Sequence, residues 1–259
     1  MIGVRVRIVT VTLAGVLAVA GCSAGRASAP ALPTTTRTTP TSAPATSTTL
    51  PPYVSLTARA VVPHLAVFRA PNARSAELVL DNPWRVDPSQ PSTAVPQVFL
   101  VEAQRRDGWV RLLLPVRPND TSAWVRAADV ALSPVAYKIV VQLGAHRITV
   151  FDQGAAAYSG PIADGKPSTP TPTGRYYIRV LIKAPDANTV YGPYAYGLSS
   201  HSNVLTTFEG GDGEIGIHGN DDASVLGKSV THGCIRIDNV EITRLAAILP
   251  LGTPVDIEP

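Results

Sequence analysis

The most informative part of the chain reads Ile217-His218-Gly219 and, after a spacer, Thr231-His232-Gly233-Cys234-Ile235-Arg236-Ile237. It holds two of the five histidines and one of the two cysteines in 259 residues. A cysteine attacks as its thiolate, and a neighbouring imidazole can take the thiol proton, so the pair is sufficient for covalent acyl transfer. On an extended strand, His232 and Cys234 would point to the same face. The spacer leaves room for a loop that returns His218 beside Cys234.

The other residues of this segment keep several interpretations open. Gly219 and Gly233 allow one backbone to approach another and can direct amide N–H groups at a developing oxyanion. His, His and Cys are also zinc ligands, and Asp221 or Asp222 would complete such a site. A third interpretation is that Cys234 packs as a small apolar residue. The residues alone do not decide which histidine would serve as the base.

The segment resembles the catalytic signature of the L,D-transpeptidase family, the cysteine enzymes that cross-link peptidoglycan. That signature is an early histidine, a spacer, and Ser/Thr-His-Gly-Cys followed by a hydrophobic residue and Arg or Asn. The resemblance implies that Cys234 is the nucleophile and that His218 is the proton donor and acceptor. It implies no metal and no cofactor.

The remaining signature residues receive supporting roles from the same resemblance. His232 and Gly233 would shape the site and its oxyanion hole. Arg236 and Thr231 would contact substrate. Residues 183–211 correspond to the region where the family has its lid and substrate pocket. No residue-by-residue match to the family is evident there, so the tyrosines and His201 in this region are candidates without an assigned role.

Residues 135–258 are predicted to form a β-rich catalytic domain with few helices, and the resemblance covers nearly all of it. Two strand-like runs, at 137–143 and 146–151, flank a hairpin turn. The stretch 169–176 resembles the family's Thr-Pro-Thr-Gly-aromatic element, which we interpret as structural. Asp238 is a good N-cap, and the apolar spacing after it predicts a helix that braces the strand carrying Cys234.

Residues 53–134 are predicted to form a small, all-β, SH3-like domain, which makes the chain mainly β. Short apolar runs alternate there with Pro, Asn, Asp and Gly clusters. Two Trp-Val-Arg units, at 109–111 and 124–126, resemble the last strands of bacterial SH3-like domains. Such a domain would bind or position the enzyme at the wall, or it would be a spacer that packs on the catalytic domain.

The sequence of the first 52 residues predicts an export signal followed by a linker between the membrane and the folded part of the chain. Residues 1–22 have a basic start and a short apolar run, and they end in Val19-Ala20-Gly21-Cys22, which resembles a bacterial lipobox. A plain secretory signal is the alternative. Residues 23–52 are rich in Ser, Thr, Ala and Pro, a composition typical of disordered linkers. We therefore expect a lipid on Cys22 and a protein anchored to the outer face of the cell membrane, facing the wall.

Charge and composition do not indicate nucleic-acid binding. The net charge is +3, and no Lys/Arg-rich run with interleaved aromatic residues is present, so the sequence gives no nucleic-acid signature.

The resemblance implies peptidoglycan stem peptides as donor and acceptor, and a thioester intermediate that leads to 3→3 cross-links. The alternatives are L,D-carboxypeptidation, attachment of a protein to the wall, and a non-catalytic wall-binding lipoprotein.

We expect the substitution Cys22→Ala to release the protein from the membrane, because it removes the only lipid acceptor of the lipobox. Detergent phase partitioning of cell fractions measures this change. A variant that stays in the detergent phase would show that the apolar run is an uncleaved anchor instead.

Overall fold

The computed structural model describes residues 50–86, 93–208 and 210–259. The predicted export signal, Cys22 and the linker up to residue 49 lie outside the described residues. The described chain is predominantly β, as predicted, with one α-helix in this part, α1 (Asn239–Ala246). None of its helices is long and apolar enough to cross a membrane.

The first half of the described chain is an antiparallel sheet with two small satellite sheets. Its strands are β1 (Ser55–Ala60), β2 (His64–Val67), β3 (Leu78–Asp81), β4 (Trp84–Arg85), β5 (Ala94–Val95), β6 (Val98–Gln104), β7 (Trp109–Leu113), β8 (Ser122–Arg126) and β9 (Val130–Val135). The main sheet has the order β8-β7-β6-β1-β9, and β2 pairs with β3 and β4 with β5. Its SH3-like character remains a prediction.

The second half is built on an eight-stranded sheet. Its strands are β10 (Tyr137–Gln142), β11 (Arg147–Asp152), β12 (Ala155–Pro161), β13 (Asp164–Gly165), β14 (Gly174–Lys183), β15 (Tyr194–His201), β16 (Glu214–His218), β17 (Ser229–Thr231), β18 (Ile235–Arg236) and β19 (Pro254–Glu258). The order is β12-β11-β10-β19-β14-β15-β16-β18, with β13 and β17 as a separate pair. The β10–β19 and β16–β18 pairs are parallel, and the other neighbours in the large sheet are antiparallel.

The predicted helix after Cys234 is confirmed. The Asp238 carboxylate accepts hydrogen bonds from the amides of Val240 (2.8 Å) and Glu241 (3.4 Å), which satisfies two N–H groups of the first turn. On the inner face, Ile242 and Leu245 are buried in the same apolar core as β10, β11 and β14–β16. The helix therefore follows β18 closely in sequence and packs against the sheet.

The two halves share apolar packing. Tyr177, on β14, is fully buried among the core residues of the first sheet, which include Phe99 and Leu112. Gly252 lies so near Thr57 that an added Cβ would approach its side chain to 2.5 Å. This close packing fixes the first sheet against the second.

Candidate active site

The site is assembled by the parallel pairing of β16 with β18. Ile217 lies opposite Ile235, and His218 lies opposite Arg236. Both isoleucines are buried in the core of the second half. Because side chains alternate along a strand, the neighbouring positions point to the other face of the sheet. His218 and Arg236 are thereby directed away from the core, into an open cleft.

Cys234 lies just before β18, and its half-buried side chain lines the same cleft as His218. The amide of Gly216 donates a hydrogen bond to its sulfur over 3.4 Å. A hydrogen bond from an N–H group is stronger to a thiolate than to a thiol, so it favours the nucleophilic form. Gly216 is a contributor that the sequence pattern did not reveal.

His218 is buried, and its ring is held by a backbone carbonyl. Its Nδ1 lies 2.7 Å from the oxygen of Gly219, and since a carbonyl can only accept, Nδ1 carries the proton. Nε2 is then the basic nitrogen of the neutral ring. Burial is the main cause that lowers the pKa of His218 to about 4, with a smaller contribution from the positive charge of Arg236. The imidazole is therefore neutral at physiological pH and able to accept a proton.

Two asparagines hold the backbone that orients His218. The Asn239 side chain accepts from the amide of Asn220 (2.9 Å) and donates to its carbonyl oxygen (2.8 Å). The Asn220 side chain donates to the carbonyl of Ile237 (2.7 Å). A Cβ added to Gly219 would lie 2.2 Å from Asn239 Oδ1, so only glycine fits there. The sequence pattern flagged Gly219 but neither asparagine.

Residues 232–234 form a bend between β17 and β18, not the continuous strand considered in the sequence analysis. Gly233 causes the break, because its φ of +121° is a conformation that residues with a Cβ rarely adopt. The side chains of His232 and Cys234 are consequently not related by strand alternation. Strand geometry alone therefore does not determine where they point.

The hydroxyl of Thr231 stabilises this bend. It donates to the carbonyl of Cys234 over 2.6 Å and accepts from the amide of Gly233 over 3.1 Å. An oxyanion would have to compete with that second bond for the Gly233 N–H. Thr231 also borders the smaller of the two cavities beside Cys234, where its expected substrate contact remains a prediction.

Two further threonines support the bend from the Thr-Pro-Thr element. The hydroxyl of Thr169 donates to the carbonyl of Thr231 (3.1 Å), and the hydroxyl of Thr171 donates to the carbonyl of Gly233 (2.8 Å). Both threonines are buried. The interpretation of this element as structural holds, and its structural role is to fix the backbone on both sides of His232.

His232 and Arg236 occupy the outer part of the site. His232 is exposed, and its ring centroid lies 5.5 Å from that of Phe208, with the two planes inclined by 31°. Arg236 lines the smaller cavity and forms no ion pair within the described part of the chain. A cation so placed is suited to an anionic ligand.

Two cavities meet at Cys234 and His218. The larger, of about 550 Å³, extends along β15 and β16 and is bordered by Glu214. The smaller, of about 330 Å³, extends towards Arg236. Access from two sides suits a reaction in which two substrates reach one sulfur in turn.

Among the tyrosine and histidine candidates in residues 183–211, some line the cavities and others are buried in the protein core. The ring of Tyr191 borders both cavities and lies 5.0 Å from the His218 ring. Tyr196 is buried, and its hydroxyl donates to the carbonyl of Leu245. His201 is buried beside Asp212. Tyr191 is therefore the candidate from this region that stands closest to the reactive pair.

A half-buried carboxylate borders the larger cavity. Glu214 accepts a hydrogen bond from Arg179 over 2.9 Å. Burial raises its pKa, and the charge of Arg179 acts in the opposite direction. The guanidinium of Arg179 stacks on the ring of Trp84, 3.7 Å from its centroid, so the first half of the chain reaches the wall of this cavity.

A metal site at His218, His232 and Cys234 would need Asp221 or Asp222 as a further ligand. Among residues 50–86, 93–208 and 210–259, no group of three or more His, Cys, Asp and Glu side chains is arranged to hold a metal ion. Asp221 is exposed, and the Asp222 carboxylate accepts from the amide of Ser224 as the cap of a short 3₁₀ helix. Metal independence remains a prediction for experiment.

Comparison with known proteins gives one consistent family. The model of the YkuD-type L,D-transpeptidase catalytic domain matches residues 136–257. The chain is 30% identical over 154 residues to a Bacillus licheniformis protein named as an L,D-transpeptidase, YkuD, covering 57% of this chain and 85% of that protein. Its Bacillus subtilis counterpart is 34% identical over 123 residues, covering 48% and 66%.

Solved structures show a weaker likeness. An L,D-transpeptidase from Mycobacterium tuberculosis is 20% identical, with 56% of this chain and 74% of that chain covered and a TM-score of 0.39. The family assignment rests on the sequence relatives.

The buried, neutral His218 predicts a pH-dependent stability. Its pKa is about 4 in the folded chain against 6.5 for an unburied histidine, so the unfolded chain binds the extra proton first. The contribution is complete above pH 6.5 and is lost as the pH falls towards 4, by up to about 3 kcal/mol. We expect His218→Asn, which keeps an N–H donor for Gly219 but cannot titrate, to lack this loss. Urea unfolding from pH 7.5 to 4 measures the difference.

The exposed His64 provides the matched control. The variant His64→Asn makes the same histidine-to-asparagine change in an exposed side chain that contacts Asp81, so only an effect of His218→Asn that His64→Asn does not share is assigned to His218. If His218→Asn follows the same curve as the wild type, His218 is not held neutral by the fold.

Proposed function

Because this chain belongs to the L,D-transpeptidase family, we propose that it transfers the acyl group of a peptidoglycan stem peptide through a thioester on Cys234. The donor is a tetrapeptide stem, attacked at the carbonyl that follows the L-centre of meso-diaminopimelate. The acceptor is the side-chain amine of a second stem. The product is a 3→3 cross-link.

The observation that carries this proposal is the arrangement of three groups. The Cys234 sulfur and the His218 ring line the same cleft, and the Gly219 carbonyl holds the ring with Nε2 unprotonated. A neutral base beside a thiol, oriented by a third group, is the arrangement that nucleophilic catalysis requires. Here the third group is a backbone carbonyl.

The first half-reaction uses His218 twice. Nε2 takes the thiol proton, and the sulfur forms a bond to the donor carbonyl carbon. The C–N bond to the terminal D-alanine then breaks, and the departing amine receives the proton from His218. Thioester and free D-alanine are the products, and the imidazole is neutral again.

The second half-reaction reverses the roles. The acceptor amine loses a proton to His218 and attacks the thioester carbonyl, and the C–S bond breaks. The thiolate of Cys234 regains its proton from the imidazolium, which completes the cycle. The two cavities at Cys234 support this sequence, because donor and acceptor can approach from different sides.

Transition-state charge requires donors near the bend. Each hydrogen bond to the developing oxyanion contributes about 3 kcal/mol. We assign this role to amides of the bend at 232–234, where an oxyanion would displace the Thr231 hydroxyl from the Gly233 N–H. His232 and Arg236 border the site and are proposed to position the substrate, with Arg236 paired to a stem carboxylate.

The site of action follows from the N-terminal sequence. We propose that the lipobox ending at Cys22 anchors the protein to the outer face of the cell membrane and that residues 23–52 extend it towards the wall. The membrane and the peptidoglycan are then its two partners in the envelope.

We expect one covalent equivalent on Cys234 when the protein is incubated with a tetrapeptide stem or with a carbapenem. An activated thiolate attacks both the stem carbonyl and the strained β-lactam carbonyl. The variant Cys234→Ser should lose several orders of magnitude in rate, because a serine hydroxyl is a much poorer nucleophile at neutral pH. Intact-protein mass spectrometry with peptide mapping locates the adduct. A serine variant that acylates as fast as the wild type would refute the nucleophile assignment.

The product of the peptide reaction separates transpeptidation from its alternatives. A 3→3 dimer supports the proposal, whereas release of tripeptide without a dimer indicates L,D-carboxypeptidation. Transfer to a protein amine in preference to a stem indicates wall attachment. Absence of any adduct indicates a non-catalytic lipoprotein.

The two histidines are distinguished by their response to pH. His218→Ala should slow acylation near neutrality and recover part of the rate at high pH, because hydroxide can then deprotonate the thiol. His232→Ala should slow the reaction without that recovery, since its role is positional. The rate of carbapenem acylation from pH 6 to 10 tests both. Recovery of the His232 variant in place of the His218 variant would exchange their roles.

Acyl transfer by a Cys/His pair requires no metal ion. We therefore expect acylation to survive exhaustive treatment with EDTA or phenanthroline. Loss of activity that zinc restores would favour the metal interpretation of the Cys/His set.

A further inference from the structure

A loop of the first half of the chain holds the segment that borders the active-site cleft. The loop comprises residues 114–121, between β7 and β8. The segment comprises residues 202–213, between β15 and β16, and we refer to it as the cleft segment. The two are more than eighty positions apart in sequence and are joined by several hydrogen bonds.

Arg117 ties both ends of the cleft segment together. Its guanidinium donates to the carbonyl of Ser202 over 2.6 Å, near the start, and to that of Asp212 over 2.6 Å, near the end. A third bond goes to the carbonyl of Leu205 over 3.1 Å. The planar fork of an arginine can serve three carbonyls at once, and charge-assisted bonds are stronger than neutral ones.

Asn119 pairs with the end of β15 as a neighbouring strand would. Its Oδ1 accepts from the amide of His201 over 2.9 Å, and its Nδ2 donates to the carbonyl of the same residue over 2.8 Å. Both polar backbone groups of a buried residue are thereby satisfied by one side chain. Asn119 fixes the position at which the cleft segment begins.

The packing between the loop and the cleft segment leaves no room for an extra carbon. Gly213 has a φ of +76°, and a Cβ built on it would lie 2.0 Å from the Leu205 oxygen and 3.0 Å from Nη2 of Arg117. Glycine is therefore the residue that allows the guanidinium to approach. The amide of Ser202 also donates to the carbonyl of Gly213 (2.8 Å), which closes the base of the segment.

The far end of the cleft segment reaches the reactive residues. Phe208 and Gly211, on either side of residue 209, which lies outside the described residues, exchange two backbone hydrogen bonds of 3.0 and 2.9 Å. Phe208 borders both cavities at Cys234, and its ring faces that of His232. Phe208 is thus a shared wall of the two cavities that Cys234 also lines.

We propose that Arg117 and Asn119 are positioning residues of the active site, which hold the cleft segment so that Phe208 forms a wall for the donor peptide. The first half of the chain is then a component of the site and does more than space the enzyme from the membrane. This proposal rests on the acyl transfer proposed above. Its structural part, the restraint of residues 202–213, is independent of that reaction.

The test compares the full chain with Arg117→Ala, Asn119→Ala and the double variant. Arg106→Ala is the matched control, since it removes an exposed arginine from the same half of the chain, away from the cleft segment. Hydrogen–deuterium exchange followed by mass spectrometry reports on residues 202–213. We expect exchange of that peptide to accelerate about tenfold in the double variant, because local opening no longer has to break these bonds.

Kinetics supply the readout that loss of stability alone would not change. We expect the double variant to lose about 10- to 100-fold in acylation by a tetrapeptide stem, mainly through a higher KM, because the donor is less well positioned. Alkylation of Cys234 by iodoacetamide, which needs no donor wall, should keep at least its wild-type rate. Arg117→Lys should recover only part of the loss, since one ammonium group cannot replace the fork.

The outcomes are separable. Unchanged exchange of residues 202–213 in the double variant would overturn the proposal, as would equal losses in acylation and alkylation or an equal effect of Arg106→Ala. If the wild type forms no acyl-enzyme, the proposed function fails, and the exchange data alone then decide whether Arg117 and Asn119 restrain the cleft segment.

Discussion

The parallel pairing of β16 with β18 is the constraint on which the site depends. It involves only two residue pairs, yet it sets which side chains enter the core and which enter the cleft. A shift of β18 by one residue would turn Ile235 into the cleft and Arg236 into the core, whereas β16 is also held by β15. So short a ladder cannot hold its own register. The helix that follows β18, the threonines beneath the 232–234 bend and the Asn220–Asn239 pair supply the restraint that the ladder lacks.

Backbone groups perform tasks that many enzymes give to charged side chains. A carbonyl, that of Gly219, orients the imidazole, and an amide, that of Gly216, bonds to the sulfur. A carboxylate beside His218 would stabilise the imidazolium more strongly than a carbonyl does, so burial, which lowers the pKa of His218, outweighs the opposing hydrogen bond to Gly219 and the ring stays neutral. The consequence is an imidazole that is neutral, and so able to accept a proton, at neutral pH. The cost is a strict dependence on backbone position, which explains why so many side chains near the site bond to main-chain atoms.

Local pattern predicted much of the fold, and long-range contacts account for what it missed. The strand-like runs at 137–143 and 146–151 correspond to β10 (Tyr137–Gln142) and β11 (Arg147–Asp152), and the cap and spacing after Asp238 located α1. Nothing local indicates that the last strand, β19, enters the sheet between β10 and β14. The sequence around Gly233 does not distinguish a bend from an extended strand, because glycine accepts either conformation. The contacts of Arg117 could not be predicted from local sequence either, because their partners, like those of β19, are distant along the chain.

The burial of Tyr177 in the core of the first sheet has a consequence for how the chain can be divided. The family match begins at residue 136, between the two halves, yet this tyrosine belongs to the second half by sequence and to the first by packing. A cut at that point would expose an aromatic ring and uncover Gly252, which is fitted against Thr57. The boundary of the family match at residue 136 thus does not coincide with a boundary between independently packed parts of the chain. Residues on both sides of this boundary are expected to unfold together. A fragment that carries only the catalytic motif would lack part of the packing that the full chain has.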